Sequence, residues 1–144
     1  MTLAISLVAF TSGCHPFSGK PSEPAPQPGR VITAEEIADS HVADAWEVLR
    51  WTGQFRMRED RNGTPLDIKI RRGKSSILLT DADTPVIVID DMRVTDLIEL
   101  RAVDAGSIAA IEILDSNAST TRFGTNAGAG AIVITTKSGR RSRG

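Results

Sequence analysis

The sequence FGTNAGAGAIVITTKSG, residues 123–139, places three glycines immediately before a short aliphatic run. The run is rich in β-branched residues and predicts a strand from about Ala131 to Lys137. A phosphate-binding loop of the Walker type needs a Lys followed by Ser or Thr after its last glycine, and a helix behind them. Here Ala and Ile follow Gly130. We therefore predict that Gly124, Gly128 and Gly130 allow tight turns and close backbone approach rather than nucleotide binding.

A second aliphatic run lies further toward the N-terminus. Val86–Ile89 follows a proline and precedes Asp90 and Asp91, which predicts a strand that ends in a tight turn. Adjacent aspartates in a strand would point to opposite faces, so this pair does not resemble a cooperating acid pair.

Two more elements lie between these runs. Ile108–Leu114 predicts a strand, and a short helix is expected around Ala118–Phe123 that ends at a glycine. The segment before them, residues 96–108, indicates either a short helix capped by Thr95 or an irregular connection.

The first half of the folded region predicts a helix from about Ala34 to Trp51. Thr33 and Glu36 form the pattern of a capping box at its start. A break is possible near Asp39 and Ser40, and His41, in or beside that break, is expected on the surface. Gly53 can close the helix.

Residues 65–73 alternate Leu66, Ile68 and Ile70 with polar residues, which predicts a half-buried strand. Residues 75–80, SSILLT, are a second short candidate. Together these elements predict an α+β domain: a small mixed β-sheet with two or three short helices.

The composition excludes several classes of function. The chain has 144 residues, a net charge of −1, 4% aromatic residues and no Tyr, which gives no general reason to expect nucleic-acid binding. With two histidines and one cysteine, the sequence forms no zinc-ligand cluster and no Ser-His-Asp set. We expect no catalytic, cofactor-binding or metal residues, and no enzyme.

The N-terminus has the pattern of an export signal. The apolar run Leu3–Phe10 is too short to span a bilayer, and Cys14 follows it after small residues. This resembles a bacterial lipoprotein signal, residues 1–13, which implies lipidation of Cys14. The alternatives are a plain secretory leader and a disordered start.

The remaining segments divide the chain. Residues 14–30 hold most of the prolines and are expected to be an extended linker between anchor and domain. Residues 31–139 are the predicted folded domain. Residues 140–144 are a basic tail, which is expected to be frayed. Contact with anionic lipid head groups is an alternative to a role as a plain linker.

The motifs of the second half, taken as a set, resemble the plug domain of TonB-dependent outer-membrane receptors, especially the SusC-like branch. The set is PVIVIDDMRV, the strand Ile108–Leu114, the short helix ending in Phe123-Gly124, and the final strand ending in TTKSG. Asp91 stands where that family usually has Gly, so the turn must tolerate an Asp in a left-handed conformation. ITAEEI, together with the helix around Trp46–Trp51, is similar to the plug's opening helix. GRVITAEE lies where such receptors contact TonB, but the apolar content of that stretch, Val31 and Ile32, is too slight to indicate this contact.

The resemblance implies transport-related function without catalysis. No barrel strands follow residue 144 in this sequence, so the first hypothesis is a stand-alone accessory or protein-binding module, linked to nutrient uptake. It would be lipid-anchored in the outer membrane, facing periplasm or cell surface, with a barrel or another envelope protein as partner. The alternative is the plug part of a transporter whose barrel is lost or separately encoded.

Partner contact would fall on the exposed turns. The candidate residues are Asp90, Asp91, Arg93, Thr125 and Asn126, with a purely structural role for both turns as the alternative. No small-molecule ligand follows from the sequence.

Overall fold

The computed structural model describes residues 29–71 and 84–142 of the chain. In these residues the strands are β1 (Arg30–Thr33), β2 (Phe55–Glu59), β3 (Pro65–Ile70), β4 (Val86–Ile89), β5 (Met92–Val94), β6 (Ile108–Leu114) and β7 (Ala131–Thr136). The helices are α1 (Ala34–Ser40), α2 (Ala45–Trp51), α3 (Glu99–Ala102), α4 (Ser116–Phe123) and α5 (Lys137–Arg141). Short 3-10 turns occupy Ala105–Ser107 and Thr125–Ala127. Cys14, the predicted signal, most of the linker and the candidate strand at 75–80 lie outside the described residues.

Five strands form one mixed sheet in the order β1-β6-β7-β4-β5. The pairing of β4 with β7 is parallel, while β1 with β6, β6 with β7, and β4 with β5 are antiparallel. Strands β2 and β3 pair with each other as a separate antiparallel hairpin, which contains a register shift near Arg58. The predicted α+β class with a small mixed sheet is therefore confirmed.

The main core lies on one face of the five-stranded sheet. Residues that oppose each other across paired strands share a face, so Ile32, Ile111 and Ile134 lie side by side. The buried residues Trp46 and Leu49 of α2 belong to the same apolar cluster. Each isoleucine of this row is fully buried, which is what a helix-covered sheet face requires.

A smaller cluster occupies the opposite face. Val88 of β4 and Val133 of β7 are neighbours there, together with Leu114 and Ala131. Ala118 and Phe123 pack against this cluster, so α4 covers this part of the sheet.

The predicted single helix is two helices. The capping box of Thr33 and Glu36 is present at the start of α1, as predicted. His41, exposed, adopts a left-handed backbone with φ 54° and ends α1, so the break falls just after the predicted position. Asp44 then caps α2 by accepting a hydrogen bond from the Glu47 N–H. A left-handed residue cannot continue a right-handed helix, which separates the two.

The start of the fold also differs from prediction. Strands β1 and β2 correspond to no predicted element, and Arg30, the last residue of the predicted linker, is the first residue of β1. Thr95 is not a helix cap. Asp96 instead accepts a hydrogen bond from the Ile98 N–H in a turn, and α3 begins only at Glu99.

The end of the fold differs in three further places. Helix α4 begins two residues earlier than predicted because the Asp115 carboxylate caps it. Strand β7 ends at Thr136 rather than Lys137. Residues 137–141, expected to include a frayed basic tail, form α5. None of the described helices is long and apolar enough to cross a membrane.

Candidate partner-contact site

The turn between β4 and β5 has an unusual backbone. Ile89 lies opposite Met92, so only Asp90 and Asp91 form the loop. Both have positive φ values, 46° and 72°, as a type I′ hairpin turn requires. Aspartate is one of the few residues besides glycine that tolerates this region. The predicted tight turn and the left-handed Asp91 are therefore both confirmed.

The Asp90 carboxylate points back into the fold. Its Oδ1 accepts a hydrogen bond from the Thr136 N–H at 2.8 Å, and its Oδ2 accepts one from the Thr136 hydroxyl at 2.6 Å. The Thr136 Oγ1 in turn accepts a hydrogen bond from the Gly139 N–H and caps α5. A side chain at Gly139 would overlap the carboxylate. Asp90 thus joins the hairpin to the end of β7 and to α5.

This geometry divides the predicted contact residues of the first turn. Asp90 is half-buried and its carboxylate is engaged within the fold. Asp91 and Arg93 are exposed, and between them Met92 is 72% exposed. Sequence reasoning did not single out Met92. Any partner at this turn meets an apolar side chain flanked by an acid and a base.

The second predicted turn precedes β7. Gly124 ends α4 with φ 86°, and Thr125 and Asn126 follow, both exposed, in the 3-10 turn. Beneath them the hydroxyl of Ser119, fully buried, donates to the Ala127 carbonyl at 2.7 Å. The loop is therefore tied to α4 from inside and presents two polar side chains outside.

Gly130, directly before β7, lies where two other parts of the chain approach the backbone closely. It has φ 109°, and a Cβ there would lie 2.7 Å from the Ile70 Cδ1 and 2.7 Å from the Leu114 carbonyl oxygen. The hairpin β2–β3 and strand β6 thus approach the backbone closely at this point. The prediction that the glycines serve turns and close backbone approach is confirmed for Gly124, by its positive φ, and for Gly130. It is wrong for Gly128, which has a helical backbone and space for a side chain.

The two candidate turns do not form one surface. Strand β7 runs from the Gly130 end to the Thr136 end, and the β4–β5 turn lies at its far end. Six residue steps of about 3.3 Å separate the ends, which is about 20 Å. A partner that touches both turns must extend along the whole sheet.

A polar cluster that sequence reasoning missed lies around Arg101 of α3. Its guanidinium donates to Asp44 at 2.9 Å, to Glu47 at 3.3 Å and to Glu59 at 2.6 Å. It also donates to the Gly63 carbonyl. These partners belong to α2, to β2 and to the β2–β3 turn. We call this set the Arg101 cluster, and it joins the hairpin to the helical side of the core.

Glu59 is shared between several donors in this cluster. The Trp46 indole N–H and the Arg50 guanidinium both donate to its carboxylate, besides Arg101. Partial burial favours the neutral acid, but the indole hydrogen bond and the two positive charges outweigh it. They hold the pKa of Glu59 below its ordinary value. The hydrogen bond to Asp44 raises the pKa of Arg101 above its ordinary value.

Nothing local in the sequence indicates this cluster. Arg101 is 42 residues from Glu59 and 57 from Asp44. The one available signal is Trp46, because a buried tryptophan needs an acceptor for its indole N–H. The cluster has the arrangement of a structural junction, since each carboxylate in it is satisfied by a cation or an N–H.

A shallow pocket of about 200 Å³ lies between α1 and the 3-10 turn Ala105–Ser107. Its lining is apolar apart from Lys137, whose ammonium donates to the Gly106 carbonyl. Ligand pockets in proteins usually have about 300–1,000 Å³, so this one is below that range. The described residues hold no group of acidic, His or Cys side chains arranged for a metal ion.

Comparison with known proteins agrees with the fold. The sequence model of the TonB-dependent Receptor Plug Domain family matches residues 21–131, more than half of the chain. Two solved structures of the ferric enterobactin receptor of Pseudomonas aeruginosa, both mutants in complex with enterobactin, share the fold at 22% identity. Their TM-scores are 0.53 and 0.55, over 74% and 76% of this chain.

The match covers only part of those receptors. The chain spans 17% and 18% of their length. No curated protein sequence matches the chain. The family match and the shared fold lead to one conclusion: this chain belongs to the family of TonB-dependent receptor plug domains.

Proposed function

We propose that this chain is a non-enzymatic plug module of an outer-membrane uptake system, held at the membrane through a lipid on Cys14, with a β-barrel envelope protein as its partner. The observation that carries the proposal is the family match over residues 21–131. The mixed sheet with a few short helices agrees with that family. We place the chain in the SusC-like branch on the motif set of its second half.

We infer the barrel partner from the family, because plug domains are parts of outer-membrane barrel receptors. The chain corresponds to 17–18% of each receptor in which the same fold occurs. An open plug sheet has two edges, here β1 and β5, and sheet edges are stable when another element covers them. We infer that a surrounding protein wall meets Val31 of β1 and Met92 of β5, which are both more than half exposed.

The lipid anchor is supported by the sequence before the described residues. Cys14 directly follows the apolar run and the small residues that export signals require, and a proline-rich segment follows it. Acyl chains contribute about 0.8 kcal/mol for each buried CH2 group, so multiple acylation holds a domain stably at a membrane.

The second candidate is the plug part of a transporter whose barrel is lost or separately encoded. The same family match supports it, because plug domains of this family are parts of TonB-dependent receptors. The two candidates differ in what the partner contains. An accessory module would associate with a barrel protein that has its own plug, whereas a split transporter would associate with a barrel that lacks one.

The test is affinity isolation from native envelopes with a C-terminal tag, combined with mass spectrometry of the Cys14 peptide. We expect recovery of an outer-membrane barrel protein together with acylated Cys14. Recovery of a barrel protein that lacks its own plug would support the second candidate over the first. Recovery of the acylated chain without any barrel protein would contradict both, and an unmodified Cys14 would contradict the anchor.

A further inference from the structure

The turn of the β2–β3 hairpin contains an asparagine followed by a glycine. The chain has three asparagines, and only Asn62 precedes a glycine. Asn62 is exposed in the turn, and Gly63 follows it with φ 80°. Glycine adopts this left-handed backbone without steric strain, so the turn itself accounts for its presence. The turn thereby creates a residue pair whose chemistry differs from that of the other asparagines.

An asparagine side chain reacts with the backbone amide that follows it. The Gly63 amide nitrogen attacks the Asn62 Cγ, so an N–Cγ bond forms and the Cγ–Nδ2 bond breaks. Ammonia leaves with the proton of the amide nitrogen, and a five-membered succinimide ring results. Water then opens the ring at either carbonyl, which gives aspartate or isoaspartate. The reaction needs water and no other reagent.

The attacking nitrogen of Gly63 has an open approach. A Cβ at this position would meet only a guanidinium nitrogen of Arg101, at 3.8 Å, so the space beside the Gly63 Cα is free. In any other residue, the β-carbon hinders the approach of the amide nitrogen to the asparagine Cγ, and glycine has none. Because Asn62 is exposed, water also reaches the ring that forms.

One hydrogen bond opposes the reaction in the folded chain. The Gly63 N–H donates to the Asp60 carbonyl at 3.2 Å, the upper limit of the normal range, and must leave it before the nitrogen attacks. A neutral backbone hydrogen bond reduces the open population by roughly tenfold at most. The opening is confined to an exposed turn and leaves the core folded. The fold therefore slows the reaction without preventing it.

Asn126 provides an internal comparison. It is also exposed in a tight turn, and the N–H of the next residue, Ala127, donates to the Gly124 carbonyl at 3.0 Å. The local hydrogen bonding is thus similar, but the following residue has a β-carbon and is fully buried. Asn117 lies in α4 and precedes Ala118. Both asparagines should therefore react much more slowly than Asn62.

The turn that contains Asn62 is attached to the Arg101 cluster. Arg101 donates to the Gly63 carbonyl, and the Asp60 carboxylate accepts hydrogen bonds from the N–H groups of Asn62 and Thr64, both at 2.8 Å. Isoaspartate inserts an extra carbon atom into the backbone between residues 62 and 63. The Gly63 carbonyl and the Thr64 N–H then shift relative to their partners, so these hydrogen bonds weaken.

We propose that Asn62 is a site of spontaneous deamidation in the folded chain, and that isoaspartate at this position loosens the β2–β3 hairpin from the Arg101 cluster. This goes beyond the proposed plug function and does not depend on a barrel partner.

The experiment incubates the full chain at mildly alkaline pH and follows each asparagine by peptide mass spectrometry, with fragmentation that distinguishes isoaspartate from aspartate. A sample unfolded in guanidinium chloride gives the rate without the fold. The test variant is Gly63→Ala, and the matched control Gly128→Ala changes a glycine elsewhere. Urea unfolding compares the parent, the fraction enriched in isoaspartate and Asn62→Asp.

We expect Asn62 to be half converted while Asn117 and Asn126 remain largely intact. The folded parent should react roughly tenfold more slowly at most than the unfolded chain. Gly63→Ala should suppress the reaction whether or not its turn is intact, because the β-carbon is present in either state. Gly128→Ala should match the parent. Isoaspartate should lower the urea midpoint, whereas Asn62→Asp, which adds only a charge, should stay close to the parent.

Three outcomes would overturn the proposal. Equal rates at Asn62 and Asn126 in the folded chain would remove the special role of the glycine. Conversion of Asn62 in the unfolded sample only would mean that the turn protects it. A urea midpoint unchanged by isoaspartate, or lowered equally by Asn62→Asp, would contradict the loosening of the hairpin by the altered backbone.

Discussion

Gly130 is a residue at which a side chain does not fit into this fold. Its φ of 109° is a region that L residues rarely adopt, and a Cβ would press on the Leu114 carbonyl. We expect Gly130→Ala to lower the free energy of unfolding by about 3 kcal/mol, from backbone strain and steric overlap together. The measurement is the midpoint of urea unfolding. Gly128→Ala is the matched control, because Gly128 has a helical backbone and its Cβ would meet only ordinary contacts, so a change within about 0.5 kcal/mol is expected.

Asp90 is the second residue whose chemistry the turn depends on. Asp90→Ala removes two acceptor interactions with Thr136 and places a less tolerant residue at a positive φ. We expect a loss of about 2–3 kcal/mol in the free energy of unfolding. Asp90→Asn should cost less, since Asn tolerates the same backbone and keeps one acceptor. Equal stability of the Ala variant and the parent would show that the carboxylate does not hold the hairpin to β7.

At the scale of elements, the Arg101 cluster joins α2, α3 and the β2–β3 hairpin. Arg101→Met leaves Asp44, Glu47 and Glu59 close together without their shared cation. We expect a loss of about 1–2 kcal/mol, an amount that allows for partial solvent screening of these charges. Arg122→Met is the control, because its pair with Glu112 is more exposed and should contribute less than about 1 kcal/mol. Chemical denaturation of both variants tests the difference.

The Arg101 cluster should also make the stability depend on pH, through Glu59. The folded pKa of Glu59 is below its ordinary value, so the folded state favours the ionised form. The resulting stability is present at neutral pH and is lost as the pH falls below about 5, through the folded pKa. We expect Glu59→Gln to flatten the acid side of the stability curve. The pKa of Asp60 is also lowered, chiefly by the hydrogen bond from the Thr64 backbone. Stability curves of Asp60→Asn therefore distinguish the contribution of Asp60 at acid pH from that of Glu59.

At the scale of the whole molecule, the second half of the chain was predictable because its signals are local. Val86–Ile89 and Ala131–Ile134 are β-branched runs with turn residues at their ends, and the structure has strands there. Strand β2 also has a local signal, since Phe55 and Met57 alternate with arginines. Strand β1 had too little: four residues with one buried side chain, directly before a helix cap.

The candidate site was predictable only in part. The Asp90 turn and the Gly124–Gly130 loop follow from residue types that tolerate positive φ. The inward aim of the Asp90 carboxylate and the Arg101 cluster depend on residues more than 40 positions apart in sequence. Such pairings arise from the packing of distant elements, which no local pattern encodes.

We proposed above that this plug domain binds a β-barrel protein of the outer membrane. The most direct measurement is site-specific photo-crosslinking in native envelopes, with the crosslinker at exposed Met92 of β5 or at exposed Val31 of β1. Buried Ile134 is the control position, which a partner cannot reach. The account predicts adducts with the same β-barrel protein from both sheet edges and none from residue 134. Adducts only with proteins that lack a barrel, or no adduct from either edge, would contradict it.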